Sequence, residues 1–218
     1  MTTRRQFVAT LAGAATVSTA GCGLLTGPIE AEASPARVSE SARSETGYTH
    51  QQTSEQTFEQ TIAAGDQERD VSLTNWLSEY TRTPSGAPDG AAGFLLFSTP
   101  TISLGGQSAN PFEQFGEKRL IREVSRRSGR SEPDNNLEEV GTRSVDTLDQ
   151  SVELTQYETT QTMGGQSIDI RIHVGSLTND GDALVIVGTH PAPSQFGLAD
   201  ESEQIDTLVA GIEHPTEP

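Results

Sequence analysis

The chain has 218 residues, 31 of them acidic and 14 basic, which gives a formal net charge of -17. Such an acidic chain is not expected to bind nucleic acid, because that binding depends on neutralising phosphates with Lys and Arg. In about 1 M salt the Debye length is only about 3 Å, so repulsion between carboxylates nearly vanishes. The composition is therefore typical of an extracellular domain that works in concentrated salt.

The N-terminus has the layout of an export signal. Arg4 and Arg5 precede a weakly apolar run over residues 7–20. This run is too short to cross a membrane, which takes roughly 20 apolar residues. The stretch TRRQF resembles the twin-arginine signal, which is read by a receptor and exports folded proteins. We therefore predict that residues 1–21 are a signal peptide.

Cys22 is the only cysteine in the chain. With Thr19, Ala20 and Gly21 it resembles a lipobox, in which the thiol takes a thioether-linked lipid and becomes the mature N-terminus. The alternative is a lone buried thiol, since free cysteine is often found in cores. We predict a lipidated cysteine and tether over residues 22–34, followed by one domain at 35–215 without a disulfide.

In the first half of the chain, the sequence predicts one helix followed by three strands. Ser34 and Pro35 favour a helix start, and Gly47 favours its end. Residues 48–62 resemble an exposed polar strand. Residues 70–80 alternate, with Leu73 and Leu77 on one face and Trp76 and Tyr80 on the other. Residues 83–90 form a loop by composition, and the apolar run 93–98 predicts a central strand covered on both faces.

The second half repeats this order of elements. A helix is expected from Asn110 to about Ser128, and strands at 137–145, 152–162, 167–174 and 183–189. In the third of these strands we expect Ile168, Ile170, Ile172 and Val174 to point inward and Asp169, Arg171 and His173 outward. A last helix should begin near Asp200, with Glu203 placed for a capping box.

Short matches between the halves suggest an internal repeat. AAGDQ (63–67) resembles TMGGQ (162–166) in layout, and GFLLFSTP (93–100) resembles ALVIVGTHP (183–191). We predict an α+β fold: one antiparallel sheet built from two strand-strand-strand-helix units, with the helices packed on one face.

Several stretches together resemble a known family. The leader, SPARVSESARSETGY, NW..EY, FSTP, NPF and the closing AGIEH are similar to a haloarchaeal, twin-arginine-exported lipoprotein family whose domain has no assigned function. The likeness covers nearly the whole chain. It implies an extracellular location and a shared fold, and it implies no catalytic residues.

The residues that could carry chemistry form no strong constellation. There is no G-x-S-x-G elbow, and GGQS at 105–108 and 164–167 favours turns. The histidines lack metal-ligand spacing, and NDGD at 179–182 is typical of a turn. His173 and His190 could be strand neighbours that bind a metal loosely beside Asp169, or part of an ordinary polar face. We predict no catalytic, metal or cofactor-binding residues.

Two features indicate partner surfaces. Trp76 and Tyr80 could form an exposed aromatic patch, or they could be covered by a helix. The helix near 117–130 holds half of the cations that remain after residue 21, among them Arg119, Arg122 and Arg126. These could face anionic headgroups or form a solvated face paired with acids.

The function expected from the sequence is that of a membrane-anchored extracellular lipoprotein, attached to the outer face of the membrane through a lipid on Cys22. We expect a non-enzymatic domain that binds a protein or small ligand. An accessory or assembly factor for an envelope complex is the first alternative, and an enzyme with an unrecognised site is the second.

Overall fold

A computed structural model describes residues 28–64, 67–104, 107–108, 110–128, 136–163, 166–193 and 201–217. It contains three α-helices, α1 (Glu40–Thr46), α2 (Glu117–Arg127) and α3 (Ser202–Ala210), and a 3-10 helix at Pro111–Gln114. The strands are β1 (Ile29–Glu32), β2 (Arg37–Val38), β3 (Thr49–Ala64), β4 (Gln67–Arg82), β5 (Ala92–Pro100), β6 (Ser103–Leu104), β7 (Gln107–Ser108), β8 (Glu138–Thr147), β9 (Gln150–Met163), β10 (Gln166–Asn179), β11 (Asp182–Pro191) and β12 (Ile212–Glu213).

One eight-stranded sheet dominates the fold. Its order is β3-β4-β5-β11-β10-β9-β8, and all of these pairs are antiparallel. The short strand β1 pairs in parallel with β4, so the sheet is mixed. The two central strands, β5 and β11, are buried almost throughout, as the continuous apolar run at 93–98 predicts.

Helices cover both faces of the sheet, so the prediction that they share one face is wrong. Phe94 and Leu96 of β5 belong to a core cluster with Ile205 of α3. Leu95 and Phe97 belong to another cluster, with Ile121 of α2. Since successive strand residues point to opposite faces, α1 and α3 lie on one side and α2 on the other.

The opposite placement of α2 and α3 also bears on the repeat hypothesis. Strands β3-β4-β5 precede α2, and β9-β10-β11 precede α3. A twofold axis normal to the sheet between β5 and β11 would relate these two antiparallel meanders. That rotation would keep both helices on one face. The two segments are therefore not rotated copies of one another, although they share an order of elements.

Helix boundaries differ from the expectations at three places. α1 begins after Ser39, whose hydroxyl accepts from the Ala42 N–H at 3.3 Å; it ends at Gly47 with φ of 74°, as predicted. The helix expected from Asn110 is interrupted by extended backbone at 115–116. The capping box expected at Glu203 is absent from α3, because the N-cap is Glu201 and Glu203 is therefore only the second residue of the helix; the Glu201 side chain makes no capping hydrogen bond and pairs with Arg82 at 3.0 Å.

The predicted tether overlaps the folded domain. Residues 29–32 form β1, and Ala33 and Ala36 are only 3% and 1% exposed. The Ser34 N–H donates to the buried carboxylate of Asp182 at 2.7 Å. The Thr216 N–H donates to the Pro35 carbonyl at 2.9 Å. Residues 29–36, most of which the predicted boundary assigns to the tether, are therefore part of the folded domain.

Candidate functional site

Two buried histidines meet on the face of the sheet that α3 covers. His173 lies on β10 and His190 on β11, and neither is exposed to solvent. Their Nε2 atoms are 2.8 Å apart, and their rings are stacked with centroids 5.0 Å apart. His173 lies on the opposite face of β10 from the four apolar residues, but the expectation that it points outward is wrong, because α3 and β8 bury its side chain.

The neighbours of this pair fix the position of each proton. Nη1 of Arg143 lies 2.9 Å from Nδ1 of His173, and Arg can only donate, so Nδ1 accepts. His173 therefore carries its proton on Nε2 and donates it to Nε2 of His190. The remaining nitrogen of His190, Nδ1, donates to the Pro191 carbonyl at 2.8 Å. A chain of hydrogen bonds thus runs from Arg143 through both imidazoles to the backbone.

An ion pair anchors the outer end of this chain. Arg143 contacts the Asp206 carboxylate of α3 at 2.6 Å. Burial, with His190, Arg143 and Arg171 nearby, lowers the pKa of His173 to about 2. His173 is therefore neutral at every physiological pH. This chain of hydrogen bonds, here called the histidine relay, runs from Asp206 and Arg143 through His173 and His190 to the Pro191 carbonyl. It links β8, β10, β11 and α3.

The alternative of a metal bound by His173, His190 and Asp169 does not fit this chemistry. A ligating imidazole needs one unprotonated ring nitrogen with a free lone pair, and it normally donates its other N–H to an acceptor. The two unprotonated nitrogens here, Nδ1 of His173 and Nε2 of His190, already accept hydrogen bonds. The Arg143 contact instead places the proton of His173 on Nε2. Asp169 accepts a hydrogen bond from Thr160 at 2.8 Å and lies in a separate cavity. Within the described residues, no three or more His, Cys, Asp or Glu side chains converge as metal ligands.

That cavity lies on the same face of the sheet and has a volume of about 430 Å³. Its charged lining consists of Glu138, Glu158, Asp169 and Arg171, and Ala192 and Pro193 also line it. Arg171 contacts Glu158 at 2.5 Å. The size is in the range of small-molecule sites, which is about 300–1,000 Å³. Three carboxylates against one guanidinium favour a ligand that carries a positive charge.

The predicted aromatic surface is only partly present. Tyr80 is 1% exposed, and its hydroxyl accepts from the Val38 N–H at 2.9 Å, so it belongs to the core. Trp76 is half-buried between Glu55 and Ser98 in the strand register. The alternative that a helix covers this face fits Tyr80, which shares a core cluster with Ala42 of α1, whereas Trp76 is not fully in the core. Among the described residues the one large hydrophobic side chain that is exposed is Val140, at 44%.

The cations of α2 divide into two groups. Arg127 is packed inside, 5.0 Å from the Phe112 ring and bonded to Glu123 at 2.9 Å. Arg119 and Arg126 are exposed, and Arg122 is half-buried. Arg119 stacks on Phe115 at 3.6 Å, and Arg126 pairs with Glu123. The expected pairing with Glu123 is therefore present, while Arg119, Arg122 and Arg126 remain at the surface.

A second buried polar cluster has no signal in the sequence. The side chain of His214 is fully buried, with Nε2 3.1 Å from Asp182 and Nδ1 3.0 Å from the Asn179 amide oxygen. The same Asp182 oxygen accepts the Ser34 N–H. This cluster joins both ends of the domain to the β10–β11 turn, where Asp180 and Gly181 have φ of 47° and 87°. The predicted turn at NDGD is confirmed.

Several predicted residues lie outside the described part of the chain. These are Arg4, Arg5 and Cys22, and the paired glycines of both GGQS stretches. None of the helices in the described part is long and apolar enough to cross a bilayer.

The described residues form an α+β fold, with a mixed, mostly antiparallel sheet and three α-helices. A family of proteins that share a domain of unknown function, DUF6517, matches residues 35–213. The chain belongs to this family. No curated protein matches the sequence.

Proposed function

We propose that this protein is a lipid-anchored extracellular domain that binds a small, positively charged or zwitterionic ligand. The polar cavity of about 430 Å³ between β8, β9 and β10 carries this proposal. Its charged side chains converge on one space, and a rigid sheet holds them. The signal-like leader and Cys22 support the anchored, extracellular location, and the net charge of -17 supports a saline medium.

A small ligand fits the described surface better than a protein partner held by apolar contacts. Protein interfaces usually present contiguous apolar patches with aromatic anchors. Here Tyr80 is in the core, and Val140 is the one exposed large hydrophobic residue that the described ranges contain. An enzyme is less well supported. The described histidine pair is sealed from solvent and cannot reach a substrate.

Thermal unfolding of the mature chain, residues 22–218, in multimolar KCl tests the binding proposal. Amino acids, betaines and polyamines form the expected class, and nucleotides and sugars form the comparison class. A ligand at 100 times its dissociation constant adds about 2.7 kcal/mol of stability. We expect an upward shift of the midpoint with a cationic or zwitterionic compound.

Two matched variants localise the site. Asp169→Asn removes one negative charge from the cavity, and Asp146→Asn removes one from an exposed position on β8 outside it. We expect the first to abolish the shift and the second to leave it unchanged. A shift that survives in both variants, or no shift with any compound, contradicts the proposal.

A further inference from the structure

We infer that the arginine face of α2, formed by the exposed Arg119 and Arg126 and the half-buried Arg122, is the surface that the domain lays against anionic phosphate headgroups of the bilayer. This inference rests on the proposed lipid anchor. It adds a defined orientation, in which the polar cavity faces away from the membrane.

Charge distinguishes this face from the rest of the surface. Among the described Lys and Arg residues, the three with exposed side chains are Lys118, Arg119 and Arg126, and all belong to α2. Residues 1–21 contain two arginines and no acids, so their removal changes the formal charge from -17 to -19. A positive patch on such a chain is a local exception. Guanidinium groups suit phosphate because they donate in a planar fork.

The length of the anchor segment limits which surfaces can reach the bilayer. Six residue steps separate Cys22 from Pro28, the first described residue, and they span at most about 20 Å. A helix layer lies about 10 Å from its sheet and adds about 5 Å to its outer side. The outer side of α2 therefore lies within reach of a lipid on Cys22.

The basic end of α2 also lies near the point where the chain joins the sheet. Ile29 is in register with Val71 of β4, and Gln56 of β3 is in register with Asn75. The Gln56 side chain donates to the Arg127 carbonyl at 3.4 Å. Val71 and Asn75 are four residues apart on β4, which corresponds to about 13 Å along the strand.

The opposite face has the wrong charge for this role. The exposed acids Glu40 and Glu45 of α1 and Glu203 of α3 lie on that side, together with the acidic cavity. An anionic bilayer would repel it. Concentrated salt removes the long-range part of these forces, but hydrogen-bonded guanidinium–phosphate contacts act within the short Debye length.

The single cysteine allows a direct test. The mature chain, residues 22–218, is coupled through Cys22 to a maleimide lipid in vesicles of phosphatidylglycerol or of phosphatidylcholine. Arginines are then modified with phenylglyoxal and quantified by peptide mass spectrometry. Because one cation is worth roughly a five-fold change in surface binding, we expect modification at Arg119, Arg122 and Arg126 to slow by at least about five-fold on the anionic vesicles. Arg43, on the α1 side, should react equally on both.

Equal rates at the α2 arginines on the two vesicles would overturn the inference, and so would selective protection of Arg43. Since the anchor is supplied chemically, this result is independent of whether cells attach a lipid to Cys22.

Matched variants complete the test. Arg122→Gln and Arg43→Gln each remove one positive charge, on opposite faces. With unanchored Cys22→Ser protein at moderate salt, we expect the first to weaken partition onto phosphatidylglycerol vesicles roughly five-fold and the second to leave it unchanged. Circular dichroism confirms that both fold, and equal effects of the two variants would contradict the assignment.

Discussion

Arg143 donates a hydrogen bond to Nδ1 of His173 across 2.9 Å, and this contact sets the tautomer of the buried histidine relay. Arg143 reaches this imidazole from β8, across the intervening strand β9, and its donated hydrogen bond stabilises the neutral ring and opposes its protonation. The relay is therefore built to stay uncharged inside the core. Its consequences for stability can be measured.

The free energy of unfolding should decrease as the pH is lowered below about 6.5. Unfolded histidine has a pKa of about 6.5, and the folded pKa of His173 is about 2, so only the unfolded chain takes up this proton in between. The stability contribution is present above 6.5 and is lost as the pH falls toward the folded pKa. One such group gives a slope of about 1.4 kcal/mol per pH unit.

Urea unfolding between pH 7 and 5 in constant multimolar KCl measures this slope. The pKa of His50 is also lowered, mainly by burial and by Arg37 and Arg43, so part of the slope should persist in a His173→Gln variant. The variant should nevertheless show a clearly flatter dependence. An unchanged slope would mean that His173 is not held neutral in the fold.

Removing Arg143 should destabilise the domain strongly. Arg143→Met leaves Nδ1 of His173 without its donor and Asp206 without its ion pair. An unsatisfied buried polar group costs about 1–3 kcal/mol. We expect a loss in this range by urea unfolding, and less than about 0.5 kcal/mol for the surface variant Arg126→Met. Similar losses for both would argue against the relay.

Replacing either of two strand glycines by alanine should destabilise the domain, because the added Cβ would lie too close to neighbouring atoms. A Cβ at Gly175 would lie 2.7 Å from the Glu153 carbonyl oxygen, and one at Gly188 would lie 2.9 Å from Ile205 Cδ1. Backbone cannot move aside as an isoleucine side chain can, so Gly175→Ala should cost more than Gly188→Ala. Overpacking typically costs about 1–3 kcal/mol.

Gly116→Ala serves as the control, because no atom lies within 4 Å of its Cβ position. We expect the midpoint of thermal unfolding to be lowest for Gly175→Ala, higher for Gly188→Ala and highest for Gly116→Ala. The reverse order for the two strand glycines would contradict the packing described here.

Deleting residues 28–34 should weaken the domain, although the family match begins at residue 35. The deletion removes β1 from beside β4 and the Ser34 donor from the buried Asp182 carboxylate. We expect a lower unfolding midpoint than for a chain that begins at residue 28. Equal midpoints would indicate that residues 28–34 do not stabilise the domain and belong to the tether.

Strand positions were largely predictable from the sequence, because period-2 alternation and the continuous run at 93–98 report burial directly. The alternation around Trp76 predicted β4. The alternating apolar residues from Ile168 to Val174 predicted a buried face of β10. Which face each helix covers was not predictable, since that depends on how the chain crosses the sheet after β5 and β11.

The buried polar clusters were not predictable either. His173 alternates like a solvent-facing residue, and its partner Arg143 lies 30 residues away. His214 finds Asp182 across 32 residues. The cost of desolvating these buried groups is offset by partners far away in the sequence. Such partners leave no local pattern in the sequence. The cavity around Arg171 has the same origin, because it combines residues from β8, β9 and β10.

The mass of the mature N-terminus, measured on protein from the membrane fraction, tests the proposed lipid anchor at Cys22 most directly. We predict that intact mass spectrometry of the native protein gives a chain that begins at Cys22, lacks residues 1–21 and carries a lipid adduct on that cysteine. We also predict that Cys22→Ser releases the protein into the medium or stalls its processing. An unmodified Cys22, or membrane retention unchanged by Cys22→Ser, would contradict the account.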